Sequence, residues 1–302
     1  MKLVLALTVA ALAWAQEAPP SKPVLTNTGK PMAVAIECGA KEIEALSLTC
    51  TIDEPCAVYL ELAAADAAGD RLFASGNLHT DKTTLFSILL ASEDGGKTWS
   101  EPVERIAGAS LDQMQFIDLE VGWVAGQMAG ALPRDPFFLL TTNSGKSWSR
   151  RPVFAETRVG TIDQFWFETR TGGSMTVDRT QTGDSGGRHE LYESMTGGES
   201  WSLSQVSTKP VPLKKPRPAG PGTWRIRADG RTKAFRVERR GTTEWTTVAS
   251  FLIAAGQCKP AEQQLKEPEP PPTATSSDPE AGGVFQVPGD PETPRKKPRK
   301  PK

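Results

Sequence analysis

The sequence predicts an all-β fold, a β-propeller-like array of about four four-stranded blades in a small or incomplete ring, with five blades as the alternative. Three similar boxes, at 92–99, 141–148 and 194–201, each end in tryptophan, and these tryptophans lie 49 and 53 residues apart. A repeat of roughly 40–50 residues is typical of bladed β architectures. Short strand-like segments separated by Gly- and Asp-rich turns, without helical periodicity, favour the same class.

Each of the first three units reads as strand, strand, strand, tight turn, strand. The strands are predicted at 58–62, 71–76 and 84–90 in the first unit, at 114–118, 121–126 and 137–140 in the second, and at 162–167, 174–177 and 190–192 in the third.

A fourth unit is weaker. Residues 224–227 and 234–237 alternate like half-buried strands, and a degraded box ends at Trp245. This unit lacks a strand, which residues 32–37 could supply. That arrangement would bring the two chain ends together and close the ring, which removes exposed sheet edges.

The box residues are predicted to have structural roles. An Asp or Asn side chain can accept backbone N–H groups of its own turn, a glycine permits positive φ, and the tryptophan buries a large ring between sheets. Catalysis by Asp94 is the less favoured interpretation, since a catalytic role has to be shown by a site and does not follow from the fold. The predicted structural residues are Ser92, Asp94, Gly96, Thr98, Trp99, Asn143, Gly145, Ser147, Trp148, Ser194, Gly198, Ser200 and Trp201.

The pattern S-x-D-x-G-x-T-W of the first box resembles the Asp-box, or bacterial neuraminidase repeat. The phrase Phe116-x-Asp118-x-x-x-Gly122-Trp123-x-x-Gly126, leading into the second box, resembles the photosystem II assembly and stability factor family of β-propellers. The resemblance covers roughly residues 58–205. It implies a seven-bladed propeller that acts as a non-enzymatic assembly factor. This chain departs from that pattern in offering four or five units, and we infer no photosynthetic partner.

The N-terminus predicts export. Residues 1–15 read as a signal peptide, with Lys2, an apolar run and a small-x-small cleavage site, and an uncleaved anchor is the alternative. Residues 16–31 are predicted to be a flexible lead-in, and 32–258 the folded domain. The expected location is therefore periplasmic or extracellular.

Four cysteines in an exported chain predict two disulfides. The preferred pairing is Cys50 with Cys56 and Cys38 with Cys258, the second tying the two ends of the domain together. Cys38–Cys50 with Cys56–Cys258 remains the alternative. Neither the cysteines nor the two histidines are spaced like metal ligands, so we predict no metal or cofactor.

Residues 259–302 are predicted to be a disordered tail, because eleven of these 44 residues are proline and few are large and apolar. Arg295–Lys302 carries six basic residues and could hold the protein at an anionic envelope surface. A solubilising tail is the alternative. The net charge of −1 and predicted export argue against a nucleic-acid partner.

For function, the sequence favours a non-enzymatic binding or assembly scaffold that recognises an unknown protein or envelope component through loops. The candidate contacts are Arg134, Asp135, Lys214, Lys215 and Arg217. The sequence does not predict an oligomeric state.

A glycoside hydrolase of sialidase type is the alternative function. Tyr59 and Tyr192 are the only tyrosines for the nucleophile role, and their positions favour strand packing. Glu168, Asp163 and Asp178 could in principle form a carboxylate pair, although their spacing does not select them.

Overall fold

The computed structural model describes residues 24–36, 38–182, 188–213 and 222–260. The predicted signal peptide, Lys214, Lys215, Arg217 and the predicted tail from residue 261 onward lie outside these ranges. The described part is almost entirely β, with one short helix, α1 (Ala40–Ala45), and a single 3-10 turn at Thr180–Thr182. The predicted all-β class is confirmed.

Four antiparallel sheets contain fifteen of the seventeen strands among the described residues, which are numbered in chain order. The first sheet has the order β17-β2-β3-β4, comprising β17 (Ala254–Cys258), β2 (Cys56–Ala68), β3 (Arg71–His79) and β4 (Thr84–Ser92). The second runs β6 (Ala109–Phe116), β7 (Gly122–Met128), β8 (Arg134–Thr141) and β9 (Ser149–Pro152). The third runs β10 (Thr161–Phe167), β11 (Gly173–Asp178), β12 (His189–Ser194) and β13 (Ser202–Ser207). The fourth has three strands, β14 (Trp224–Asp229), β15 (Ala234–Arg240) and β16 (Trp245–Leu252).

The sheets pack face to face in the order fourth, first, second, third. One hydrophobic cluster joins the first and fourth sheets and includes Leu60 of the first and Phe251 of the fourth. Another joins the first and second sheets around Leu89 and Phe137, and a further one joins the second and third around Phe138 and Phe165. Within the described ranges, no hydrophobic cluster joins the third sheet to the fourth. The array is propeller-like, as predicted.

The first sheet is completed by the C-terminal end of the domain. Strand β17 pairs with β2, and the register places Cys258 opposite Cys56. The structure forms disulfides Cys38–Cys258 and Cys50–Cys56, which is the preferred pairing and not the alternative. The first of these bonds joins residues 220 positions apart and fastens the two ends of the domain together.

The suggested contribution of residues 32–37 to the fourth sheet is largely wrong. Only Met32 makes a bridge there, parallel to Phe251, and the fourth sheet keeps three strands among the described residues. The chain instead turns toward Cys38 and the first sheet. The two ends of the domain do meet, but they do so at the first sheet rather than by adding a strand to the fourth.

Part of the predicted flexible lead-in is ordered. Strand β1 (Leu25–Thr26) pairs with β5 (Thr98–Trp99), and the Asn27 side chain donates to the carbonyls of Gly96 and Val248. This segment therefore bridges the box of the first sheet and the fourth sheet. The segment is short and mainly polar, and it shows no alternation of polar and apolar residues that would predict a strand.

A bulge recurs at the same position in the first strand of three sheets. The register shifts between Leu62 and Ala64, between Leu111 and Gln113, and between Ile162 and Gln164. The extra residue bends the strand and re-aims neighbouring side chains. The repeat that is visible in the boxes thus extends to the first strand of each unit, β2, β6 and β10.

Candidate functional site: an arginine cluster at the third sheet

The first box is a closed hydrogen-bonded turn. Asp94 Oδ1 accepts the backbone N–H groups of Lys97 and Thr98 at 3.0 and 2.9 Å, and its Oδ2 accepts the Thr98 hydroxyl at 2.7 Å. Ser92 Oγ accepts the N–H of Gly96, and Trp99 Nε1 donates to the Gly96 carbonyl. The side chains of Ser92, Asp94 and Thr98 therefore each have a partner within the turn.

The second box keeps this pattern with different side chains. Thr141 takes the place of the leading serine and accepts the N–H of Gly145 at 2.9 Å. Asn143 Oδ1 accepts the N–H of Ser147, and Trp148 Nε1 donates to the Gly145 carbonyl.

In the third box a hydroxyl replaces the carboxylate. Thr196 Oγ1 accepts the N–H of Ser200 at 2.9 Å, and Ser194 Oγ accepts that of Gly198. Trp201 Nε1 is buried without a hydrogen-bond partner. A turn that closes around an uncharged threonine shows that the position needs an acceptor oxygen rather than an acid.

Hydrogen bonds also fix the ionisation of Asp94. The backbone N–H of Thr98, followed by its hydroxyl, lowers the pKa of Asp94 to about 2. A carboxyl group with that pKa is ionised at neutral pH and has no proton to donate. The geometry therefore gives no support to Asp94 as a general acid.

Each box docks its indole on the preceding sheet of the array. Trp99 packs edge-on against Phe251 of the fourth sheet, at 5.3 Å between ring centroids. Trp148 meets Phe73 of the first sheet, and Trp201 stacks on Phe138 of the second. Trp245, in the degraded fourth box, instead lies beneath Arg225, with the guanidinium 4.0 Å from the ring centroid.

At the other end of the third sheet, three arginines surround one buried glutamate. The Glu190 side chain is wholly buried, and its Oε1 lies 3.1 Å from Arg179, 3.5 Å from Arg188 and 3.7 Å from Arg158. Tyr192 donates its hydroxyl to Glu190 Oε2 at 2.7 Å and accepts from Arg158 at 3.0 Å. We call these three arginines with Glu190 and Tyr192 the arginine cluster.

The pKa values follow from this arrangement. Burial pushes the pKa of Glu190 upward, but the hydrogen bonds from Tyr192 and Arg179 and the nearby arginine charges outweigh burial and bring it below 4.5. Burial, together with the hydrogen bond to Glu190, raises the pKa of Tyr192 to about 12. At neutral pH the glutamate is thus ionised and the tyrosine neutral.

The arginine cluster has more positive than negative charge. Glu190 provides one negative charge against three guanidinium groups, so two positive charges are left uncompensated within the cluster. The side chains of Arg158 and Arg188 are 35% and 43% exposed. Guanidinium groups with free donors are suited to carboxylates and phosphates, which they bind in a bidentate manner.

Two of the predicted contact residues adjoin this cluster. Asp135 and Arg158 exchange backbone and side-chain hydrogen bonds, with the N–H of Arg158 donating to Asp135 Oδ1 at 2.8 Å. Arg134, whose side chain is 58% exposed, precedes Asp135 and forms a bridge with Val159. Its guanidinium lies at the rim of the cluster, 3.8 Å from the Asp135 carboxylate, with which it forms an ion pair.

The sialidase alternative finds little support in the geometry. Tyr192 is 4% exposed, packs against Phe154 and is hard to ionise, whereas a nucleophile must reach its substrate. Glu168 lies beyond the C-terminal end of β10, whereas Asp163 lies near its beginning and Asp178 opposite that beginning. The strand separates Glu168 from the other two carboxylates.

Sequence reasoning missed Arg158, Arg179, Arg188 and Glu190. A signal was available, because in the predicted strand order all three arginines fall in connections at the sheet end opposite the boxes. The repeat gives the strand order, and the alternating strand directions then place these connections at the same end of the third sheet. The convergence on a buried glutamate could not be predicted, since Glu190 sits within a strand and resembles an ordinary alternating residue.

The described ranges contain no group of three or more His, Cys, Asp or Glu residues placed to hold a metal ion. No helix in that part of the chain has the length and apolar character needed to cross a membrane.

Four antiparallel sheets in a row, with three boxes docked on the sheets before them, define a β-propeller-like protein. It is similar to the structure of YCF48 bound to D1 peptide, with 16% identity, a TM-score of 0.39 and coverage of 64% of this chain and 56% of that one. It is also similar to a GH74 xyloglucanase from Xanthomonas campestris, with 17% identity, a TM-score of 0.35 and coverage of 47% of this chain and 21% of that one. A Penicillium chrysogenum alpha-L-arabinanase complexed with arabinobiose has 12% identity, a TM-score of 0.34 and coverage of 74% of this chain and 66% of that one.

This chain thus spans little more than half the length of the YCF48 chain. No protein-family model and no curated protein sequence matches it.

Proposed function

We propose that this protein is an exported, non-enzymatic scaffold that binds an acidic protein or envelope component through the arginine cluster. The observation that carries the proposal is the excess of positive charge around Glu190, with Arg158 and Arg188 partly exposed. Glu190 and Tyr192 hold the guanidinium groups in place before any partner arrives. Such preorganisation reduces the entropy lost on binding.

Two disulfides support the proposed location, because such bonds persist in oxidising compartments outside the cytoplasm. The proposed absence of catalysis rests on the hydrogen-bonded boxes and on the buried Tyr192. Attachment to an anionic surface through residues 295–302 remains a separate proposal, since these residues lie outside the described ranges.

The direct test uses the mature full-length protein and a fluorescent hexaglutamate peptide, with binding followed by anisotropy. The Arg134→Ala, Arg188→Ala double variant removes two exposed cations without touching Tyr192. Arg151→Ala is the matched control, because its side chain is 44% exposed and pairs with Glu199 beside the third box. We expect the double variant to weaken binding about ten-fold and the control to leave it nearly unchanged.

Raising salt from about 50 to about 300 mM should weaken wild-type binding strongly, since exposed charges are screened. Crosslinking in envelope extract followed by mass spectrometry then identifies the natural partner. Equal binding by wild type and the double variant would defeat the proposal. So would a glycosidic turnover that survives repurification and disappears in Tyr192→Phe.

A further inference from the structure

A polar cleft lies at the end of the first and second sheets that is opposite the boxes. Its volume is about 530 Å³, within the usual range for small-ligand sites. One wall comes from β2, β3 and the 80–84 segment, and the other from the 129–131 loop after β7. No residue of the arginine cluster lines this cleft.

The walls of the cleft are built in advance. Thr80 is 4% exposed, and its hydroxyl accepts the N–H groups of Lys82 and Thr83, which closes the turn between β3 and β4. His79 Nδ1 lies 2.7 Å from the Thr80 carbonyl, so in a neutral ring Nδ1 carries the proton and Nε2 is an acceptor. The Ala129 N–H donates to the Gly108 carbonyl and fixes the opposite loop.

One lining side chain has an unsatisfied hydrogen-bonding group. Asn77 is 6% exposed and donates its Nδ2 to Glu61 at 3.2 Å, but its Oδ1 has no hydrogen-bond partner in the protein. A buried amide oxygen without a partner costs free energy, typically about 1–3 kcal/mol. That oxygen has less than 1 Å² of accessible surface, so the amide must rotate before a ligand hydroxyl in the cleft beside Glu61 can donate to it.

The balance of groups in the lining indicates the class of ligand. Glu61, Asn77 and His79 offer acceptors, whereas Lys82 and the threonine hydroxyls offer donors. Among the lining residues, Glu61 and Lys82 carry opposite charges, so the lining itself has no excess of either sign. Tyr59 lies on the same face of β2 as Glu61, is 36% exposed and packs against His79, which gives an aromatic surface at the edge.

A neighbouring carboxyl group adds to this acceptor-rich side. Asp112, the extra residue in the bulge of β6, accepts from Ser110 and Gln127. Burial, and then the charge of Glu61, raises the pKa of Asp112. The two carboxyl groups therefore lie close enough to interact between β2 of the first sheet and β6 of the second.

From the cavity and the set of donors and acceptors in its lining, we propose that this cleft binds a neutral saccharide. Ring hydroxyl groups both donate and accept, and they can match Glu61 and Lys82 at the same time. The apolar face of a sugar ring can lie against Tyr59. The proposal concerns binding only and does not depend on the partner of the arginine cluster.

The test uses the mature full-length protein with neutral tetrasaccharides of glucose, xylose, arabinose and galactose, and tetralysine as a cationic probe. Binding is measured by ligand-observed NMR and calorimetry. Glu61→Gln should weaken saccharide binding about ten-fold, because a hydrogen bond to a charged group is lost. Ala131→Trp places a large ring on the exposed opposite loop and should block the cleft.

The control is Glu104→Gln, which changes an exposed acid outside the cleft lining. It should bind like wild type, as should the Arg134→Ala, Arg188→Ala variant. Circular dichroism confirms that each variant is folded. Binding to none of the saccharides, binding unaffected by both Glu61→Gln and Ala131→Trp, or binding of tetralysine alone would each overturn the proposal.

Discussion

The indole of Trp123 in the second sheet lies flat on the ring of Phe167 in the third. The ring centroids are 3.8 Å apart, the planes differ by 3°, and Trp123 Nε1 donates to the Gly197 carbonyl at 2.8 Å. Trp123 is not a box residue, yet it contacts the next sheet and the next box at once. The second and third sheets are thus joined by the stacked pair of Trp123 and Phe167 as well as by the box indole of Trp201.

We predict that Trp123→Ala lowers the free energy of unfolding by about 3–5 kcal/mol, because a fully buried ring is replaced by a cavity. Trp245→Ala is the matched control. That ring contacts arginines at the surface of the fourth sheet, so its loss should cost about 1–2 kcal/mol. Denaturant unfolding of both variants gives the comparison, and equal losses would contradict the docking account.

A second prediction compares two glycines with similar backbone conformation. Gly145 has φ of +75°, and a Cβ there would lie 2.3 Å from the Phe73 ring; Gly95 has φ of +70° and open space around its Cβ position. Gly95→Ala should cost about 1–2 kcal/mol from backbone strain alone. Gly145→Ala should cost a further 1–3 kcal/mol or so, because Phe73 must move.

Thermal unfolding of the two glycine variants measures the difference, which isolates the steric term since both positions share the strain. A Gly145→Ala variant as stable as Gly95→Ala would show that Gly145 is not packed tightly against the Phe73 ring of the first sheet.

The two disulfides should differ in their contribution to stability. The Cys38–Cys258 bond closes a 220-residue separation and Cys50–Cys56 one of 6. Loop-closure entropy predicts losses of about 5 and about 2 kcal/mol when each pair is replaced by serine. Chemical denaturation of the two double variants measures this order. If removing Cys50–Cys56 lowers the free energy of unfolding more than removing Cys38–Cys258, the entropy of the unfolded chain does not determine how much these disulfides stabilise the protein.

Stability should fall in acid through Glu190. Its pKa is below 4.5 in the folded protein, so its stabilising contribution is complete above about pH 4.5 and declines as pH falls through the folded value. At pH 7, Glu190→Gln should cost about 3–5 kcal/mol, because three arginines lose their buried partner. The difference from wild type should shrink near pH 3.

Unfolding free energies at pH 7 and pH 3 provide the check. Glu193→Gln is the control, because Glu193 is an exposed residue of the same strand. A constant gap between Glu190→Gln and wild type at both pH values would contradict the assigned pKa direction.

The repeat allowed the fold to be predicted because it is local. Each box holds its turn-closing side chain (Asp94 or Asn143), its glycine with positive φ and its tryptophan within eight residues. Residues that are close in the chain therefore specify the geometry of the box. Strand positions followed from alternation over similarly short distances. The disulfides were only partly predictable, since the sequence allowed a second pairing. Strand pairing alone does not decide between them, because β17 places Cys258 opposite Cys56, yet the bonds formed are Cys38–Cys258 and Cys50–Cys56.

What the sequence determined by itself is the set of β units and their punctuation, because hydrogen bonds within one hairpin depend on residues that are close in the chain. Only the tertiary structure decided that the fourth sheet packs on the first, that three arginines meet at Glu190, and that the 80–84 segment and the 129–131 loop form one cleft. These relations join residues far apart in sequence. They depend on how whole sheets pack and twist against one another, which no short pattern encodes.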